Sequence, residues 1–149
     1  MKLPAGATGF NAVPGAGLTL SAFATLCHHA ARAVGGTVTG VVPAGVTPTF
    51  HTVEITRYGQ RTTVLGHSTV SIGAFAEPRA PGDATVTFTD RPDLAAVIGA
   101  TSHLVILTTQ QLNAPLSTAD LTALDAGEHK QIAYWRPDTI GELLFNFWD

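Results

Sequence analysis

Apolar residues in the first third of the chain recur at three- and four-residue spacings, which is the pattern of one helix face. Thr19 or Ser21 is suited to cap the start of this helix, and Gly35-Gly36 is suited to end it. The pattern predicts an amphipathic helix whose buried stripe consists of Leu20, Phe23, Leu26, Cys27, Ala30 and Val34. Residues 1–17 are rich in Gly and Pro and predict an irregular leader, pinned to the body by Leu3, Phe10 and Val13.

After Gly36 the pattern changes to short segments rich in β-branched and aromatic residues, separated by Gly, Pro and polar turns. They predict an antiparallel meander with strands at 37–42, 49–58, 61–67, 70–76 and 85–89. A further segment, HLVILTT at 103–109, predicts a buried strand.

The register of one hairpin follows from its turn. A two-residue type II′ turn at Gly59-Gln60 pairs Glu54 with Leu65. The same register places Tyr58 opposite Arg61 and Thr52 opposite His67. The opposite face of the sheet then carries His51, Val53, Ile55 and Val64.

The C-terminal half of the chain predicts several short helices. One begins at Pro92 and ends at Gly99, and others cover 110–113, 117–124 and 128–135. Thr139 and Glu142 fit a capping box, which predicts a final helix of about ten residues. The fold class is α+β: a single domain, 1–149, in which an antiparallel β-sheet packs against an N-terminal helix and several short C-terminal helices.

The composition indicates the cellular environment of the protein and excludes some classes of partner. The chain has 149 residues, of which 45% are hydrophobic and 13% charged, as expected for one globular domain. The net charge is −3 and the eight Lys and Arg residues are scattered, so nucleic acid is not expected as a partner. One cysteine, no signal-peptide pattern and no apolar stretch of membrane-spanning length predict a cytoplasmic protein that does not enter a membrane.

The sequence offers no motif for a metal, a cofactor or a catalytic nucleophile. The six histidines lack HxH, HExxH or CxxC spacing, and His28 and His29 point about 100° apart on a helix, so no metal is expected. The GAGLTL run at 15–20 lacks both a third glycine and a Walker lysine, and no GxSxG elbow is present. We therefore expect no cofactor, and a binding protein is favoured over an enzyme.

A pocket over the sheet is the alternative location for chemistry. Glu54 and His67 share one sheet face in the proposed register, and an acid beside an imidazole can perform general acid–base catalysis. The same two residue types are also ordinary on a polar sheet surface. The alternative pocket consists of His51, Glu54 and His67.

The C-terminal stretch IAYWRPDTIGELLFNFWD is the most informative part of the sequence, because it contains both tryptophans. On a helix its apolar residues would form two stripes, and both need cover from the protein core or from a partner. Core packing is one interpretation, and an aromatic anchor for a partner is the other, since Trp, Tyr and Arg dominate interface hot spots. The candidate binding residues are Tyr134, Trp135, Arg136, Phe145 and Trp148.

The ending YWRPDTIGELLFNFWD resembles the C-terminal signature of an uncharacterised family of small bacterial proteins. That signature is Tyr-Trp-(Arg/Lys)-Pro, then Gly-Glu, then Phe-Asn-x-Trp-Asp. The N-terminal MKLP, the FHTVEI strand and the segment ending AFAEP are similar as well. The resemblance implies an immunity or toxin-neutralising protein and places Tyr134 to Pro137, Gly141, Glu142, Phe145, Asn146, Trp148 and Asp149 in the shared motif, with no role attached to any of them.

These observations predict a non-catalytic module that binds another protein, as an inhibitor or immunity-type protein does. A small-molecule-binding protein or unfamiliar enzyme with a site over the sheet is one alternative. A self-associating structural protein, in which the terminal helix forms a homodimer interface, is the other.

Overall fold

The computed structural model describes residues 1–10, 17–45, 47–80, 83 and 85–148 of the chain. They form a compact α+β domain, which confirms the predicted fold class. The elements in chain order are α1 (Leu20–Ala33), β1 (Thr37–Val42), β2 (Phe50–Arg57), β3 (Gln60–His67), β4 (Ile72–Ala76), β5 (Phe88–Thr89), α2 (Pro92–Thr101), β6 (Val105–Ile106), α3 (Thr109–Leu112), a 3₁₀ turn (Leu116–Thr118), α4 (Ala126–Trp135) and α5 (Ile140–Leu144).

The first helix forms where its pattern predicted it. The Thr19 hydroxyl accepts a hydrogen bond from the backbone N–H of Ala22, which satisfies one of the free donors at the helix start. The positive φ of 78° at Gly35 ends the helix. Within α1, Phe23, Cys27 and Ala30 face the core.

The sheet runs in the order β1-β2-β3-β4-β5, with every neighbouring pair antiparallel. β6 pairs with β4 in parallel, because α2 carries the chain back across the sheet before β6 begins. The predicted meander therefore holds for β1 to β5. The segment 103–109, predicted as a buried strand, is reduced to Val105–Ile106, and Val105 is exposed.

The predicted register of the β2-β3 hairpin was wrong by two positions. The central residues of the turn are Tyr58 and Gly59, with φ of 49° and 75°. The turn is therefore type I′, in which both central residues are left-handed, and not type II′. Glu54 consequently pairs with Thr63 and Phe50 with His67. Because side chains alternate with a period of two, the shift leaves each residue on its predicted face.

Both faces of the sheet are covered. Helices α1 and α2 bury one face, where Phe23 and Leu94 pack on strand residues such as Val53 and Phe75. The leader and the C-terminal elements bury the other face around Phe50, in a cluster that includes Leu3, Leu65, Leu112, Leu143 and Phe145. The central strand β4 is buried along its whole length.

Two predicted helices differ from the structure. The segment 117–124 is not helical beyond the 3₁₀ turn, because Asp120 pairs in extended conformation with the leader: its N–H donates to the Met1 carbonyl and its carbonyl accepts from Leu3 N–H. The final helix stops at Leu144, because the backbone of Asn146 bonds to Thr49. In the leader, Leu3 is buried as predicted and Phe10 is exposed, while Val13 lies outside the described residues.

Among the described residues, every helix is too short or too polar to cross a membrane.

Candidate functional site

The C-terminal motif is folded around one close contact. The backbone of Gly141 in α5 lies against the Phe88 ring, and a Cβ at this position would be 2.4 Å from the Phe88 Cε2 atom. Only glycine fits this position. Glu142 lies on the exposed side of α5, where its Oε2 atom accepts a hydrogen bond from Asp138 N–H. Gly141 thus lets α5 pack closely on Phe88 of β5, and Glu142 forms a local hydrogen bond at the start of α5.

Asn146 anchors the chain after α5. Its buried amide nitrogen donates to the carbonyls of Thr8, at 3.0 Å, and Leu143, at 2.7 Å. Its Oδ1 atom accepts a hydrogen bond from the N–H of Trp148 at 3.2 Å. One side chain therefore joins the leader, α5 and the C-terminal tail, and it fixes the backbone that carries Trp148.

Phe145 faces inward rather than toward a partner. It is 3% exposed and packs edge-on against Phe50, with ring centroids 5.6 Å apart. The sequence predicted Phe145 as a binding residue at the surface. The structure contradicts this prediction, because the end of α5 turns the Phe145 ring into the core. Asp149, the last residue of the motif, lies outside the described residues.

The remaining aromatic residues of the motif form a surface cluster. Tyr134 is 77% exposed and Trp135 is 38% exposed at the end of α4. The rings of Trp135 and Trp148 are stacked, with planes 3° apart and centroids 6.1 Å apart. Tyr134 meets Trp135 edge-on at 5.1 Å. We call Tyr134, Trp135, Arg136 and Trp148 the aromatic surface.

Arg136 ends α4 in the left-handed conformation, with φ of 52° and ψ of 59°. This conformation turns the chain at the end of the helix and leaves Arg136 exposed beside Trp135. Within the described ranges, its guanidinium makes no hydrogen bond or ion pair. It is therefore free to pair with an external acceptor.

A cleft of about 460 Å³ opens next to this surface. Trp135, Arg136 and Pro137 line one side of it, and Phe88 and Trp148 are among the residues that line the rest. An apolar cleft beside exposed aromatic rings and an unpaired cation is suited to receive an apolar side chain of another molecule.

His67, predicted as a candidate base, is a buried structural residue. Its Nε2 atom lies 2.8 Å from the carbonyl oxygen of Ala7. Its Nδ1 atom accepts from the N–H of Thr69 at 3.1 Å and the N–H of Val70 at 3.3 Å. This pattern assigns the proton of the neutral ring to Nε2. Burial lowers the pKa of His67 to about 4, although the Ala7 carbonyl and Glu128 oppose the shift.

The structure does not bring His51, Glu54 and His67 into one pocket. Glu54 and His67 share a face, but Glu54 pairs with Thr63, four residues before His67 on β3 and thus about 13 Å away along the strand. His51 lies on the opposite face, where its ring is 6.2 Å from that of Phe23 and its Nδ1 accepts from Ala44 N–H. Burial lowers the pKa of His51.

Glu54 instead lines a separate cavity of about 500 Å³ over the sheet, with Thr52, Thr63, Arg79 and Phe147. Its Oε1 atom accepts from the Thr39 hydroxyl at 2.9 Å, and its Oε2 atom lies 3.5 Å from Arg61 Nη1. We call this space the sheet cavity.

Sequence reasoning missed Glu128. This side chain is 1% exposed at the start of α4. Its oxygens accept hydrogen bonds from the N–H groups of Gly6, Thr8 and Asp125 and from the Thr8 hydroxyl. The spacing of Asp125 and Glu128 is that of a capping box, and this signal predicts a position at the helix start but not burial under the leader.

Across the residues that the structure describes, no three His, Cys, Asp or Glu side chains come together in a way that could hold a metal ion. Comparison of the chain with protein-family models, with curated proteins and with solved structures found no match.

Proposed function

We propose that the protein is a binding module that recognises another protein through the aromatic surface, in the manner of an inhibitor or immunity-type protein. The observation that carries the proposal is the exposure of two large rings: Tyr134 is 77% exposed and Trp135 38% exposed, side by side at the end of one helix. Large aromatic side chains normally pack in the core of a folded chain. In this motif the buried positions are occupied by Gly141, Phe145 and Asn146, and Tyr134 and Trp135 remain at the surface.

The surface has the features that make an interface anchor effective. Trp135 is held by its stack on Trp148 and by a hydrogen bond from its Nε1 to Gln131 Oε1 at 3.1 Å. A ring that is ordered before binding loses little conformational entropy when a partner covers it. The adjacent Arg136 supplies a fork of donors that suits a carboxylate or a backbone carbonyl of the partner.

The arrangement of acid and imidazole groups favours binding over catalysis. A general base must reach a proton of the substrate, and both ring nitrogens of His67 are occupied by backbone groups in the core. Glu54 on β2 and His67 on β3, the pair considered for acid–base chemistry, lie too far apart along the hairpin to act on one bond.

The test compares three variants with the wild type. A partner recovered on immobilised protein is purified, and its affinity for the wild type, Tyr134→Ala, Trp135→Ala and Tyr58→Ala is measured by calorimetry. Tyr58 is the control, because it is 87% exposed on the β2-β3 turn and also aromatic. We expect losses of about thirtyfold for Trp135→Ala, corresponding to about 2 kcal/mol, and no change for Tyr58→Ala.

Equal affinities for all four proteins would contradict the proposal. Light scattering at several concentrations separates the homodimer alternative from a different partner. A mass that rises with concentration in the wild type and stays monomeric in Trp135→Ala would assign the aromatic surface to self-association.

A further inference from the structure

The sheet cavity lies on the face of the sheet that carries Phe50. Its floor is formed by Thr52, Glu54 and Thr63, which lie on one face by the β2-β3 register. Its volume is about 500 Å³, which lies in the range of small-molecule sites in proteins. Val42, Pro48 and Phe147 give the cavity apolar walls.

Arg79 places an oriented cation at the cavity. The centre of its guanidinium lies 5.0 Å from the Phe147 ring centroid and 5.6 Å from the Phe50 ring centroid. Its Nη1 atom donates to the carbonyl oxygen of Asp83. Burial lowers the pKa of Arg79, because loss of water disfavours the charged form.

The hydrogen-bonding capacity of Arg79 is not used up. Its Nε atom is buried and has no partner among the residues that the structure describes, and no carboxylate of these residues lies within ion-pair distance. A buried donor without an acceptor is costly, so an anion that accepts a hydrogen bond from Nε would relieve an existing deficit.

Glu54 supplies the opposite charge. Its side chain is 29% exposed, and its ion pair with Arg61 is long at 3.5 Å, so the carboxylate can accept another donor. Glu54 is four residues from Phe50 on β2, a distance of about 13 Å along the strand. The cation over Phe50 and the carboxylate of Glu54 therefore belong to separate parts of the sheet, with Thr52 between Phe50 and Glu54 on the same face.

We propose that the sheet cavity binds a small zwitterionic molecule of the ω-amino acid class. Its carboxylate pairs with Arg79, its ammonium group pairs with Glu54, and its hydrocarbon chain contacts Val42 and Phe147. Charge complementarity favours this class over a phosphate ester, because Glu54 and Asp83 both line the cavity and would repel a dianion placed on Arg79.

Calorimetric titration of the wild-type protein tests the ligand class. The probes are γ-aminobutyric acid, ε-aminohexanoic acid and ω-aminooctanoic acid, with hexanoate and hexylamine as ligands that carry one charge only. We expect one of the longer amino acids to bind about tenfold or more tightly than either of these two ligands, because it forms charged hydrogen bonds at both of its ends. Absence of binding by every amino acid at millimolar concentration would overturn the proposal, as would equal affinities of the amino acids and hexanoate.

Two variants test which residue binds each end of the ligand. Glu54→Gln should lower the affinity for ε-aminohexanoic acid to that for hexanoate, and leave hexanoate binding unchanged. Arg79→Gln should weaken both carboxylates and spare hexylamine. Glu77→Gln, at an exposed acidic residue outside the cavity, is the matched control. Should Arg79→Gln fail to fold, Glu54→Gln alone still decides, because affinities unaffected by it contradict the assigned ammonium site.

Discussion

The buried carboxylate of Glu128 holds Thr8 by two groups at once, the backbone N–H at 3.2 Å and the hydroxyl at 2.8 Å. The same carboxylate accepts from Gly6 N–H, at 3.1 Å. The leader therefore closes over the start of α4 through hydrogen bonds rather than through a disulfide or a metal. Residues 120 apart in sequence are joined by this contact, so it stabilises only the completed fold.

Replacing Glu128 should loosen the leader. Glu128→Ala leaves the donors of Gly6 and Thr8 buried without an acceptor, and we expect a loss of about 2–4 kcal/mol in the free energy of unfolding. Urea denaturation followed by circular dichroism measures the loss. The exposed Glu77→Gln should change stability by less than about 0.5 kcal/mol. A Glu128→Ala protein as stable as the control would show that the hydrogen bonds of this carboxylate to the leader contribute nothing to stability.

Local patterns predicted the fold as far as local interactions determine it. The first helix and its Thr19 cap, and the approximate positions of the first four strands, follow from periodicity and capping chemistry. The failures come where distant residues compete for the backbone: Asp120 pairs with the leader instead of continuing a helix. Similarly, α5 ends at Leu144 because Asn146 bonds to Thr49 and Thr8.

The site could be predicted only in part. The motif pointed to Tyr134, Trp135 and Trp148, but sequence alone did not separate them from Phe145, which the turn after α5 directs into the core. The pocket of His51, Glu54 and His67 failed because strand alternation and pairing distance separate its members. Arg79 carried no sequence signal, since its importance arises from rings far away in the chain.

The free energy of unfolding should decrease as the pH is lowered, because His67 is neutral in the folded protein. Its pKa is about 4 in the folded protein, against about 6.5 in the unfolded chain, so the unfolded state takes up a proton first. The stabilisation from the neutral ring is complete above pH 6.5, and it is lost as the pH falls from about 6.5 through about 4. The loss amounts to about 3 kcal/mol at pH 4 and below.

The measurement compares the wild type with His67→Asn, whose amide oxygen can replace Nδ1 as an acceptor and does not titrate. Free energies of unfolding are obtained from urea curves at several pH values between about 4 and 7. The difference between the two proteins isolates His67 from the other histidines. If both proteins lose stability in parallel, the buried imidazole is not the titrating group.

The β2-β3 turn stores strain that a single substitution can relieve. Tyr58 has φ of 49° and is 87% exposed, so a bulky L-residue occupies a left-handed position without packing in the core. Tyr58→Asn should raise the free energy of unfolding by about 0.5–1 kcal/mol, because Asn-Gly is the preferred sequence for this turn. Tyr58→Val should lower it, and a stabilising effect of valine would contradict the turn assignment.

The thiol of Cys27 should be inert in the native protein. It is fully buried in α1, and burial raises its pKa to about 12. The thiolate fraction is then roughly a thousandfold below that of a free cysteine, before any steric protection is counted. Labelling with iodoacetamide followed by mass spectrometry should give no adduct in buffer and a complete reaction in denaturant. Rapid labelling of the native protein would place Cys27 at the surface.

The stack of Trp135 on Trp148 determines whether the aromatic surface is preformed. A double-mutant cycle of Trp135→Ala and Trp148→Ala should give a coupling of about 0.5–1.5 kcal/mol in the free energy of unfolding, as expected for a packed aromatic pair. Acrylamide quenching of Trp135 should also be weaker in Trp148→Phe than in Trp148→Ala, because phenylalanine still covers one face of the indole. A coupling near zero with equal quenching would mean that the rings move independently. A partner would then have to order them on binding, at the cost in affinity that a preformed stack avoids.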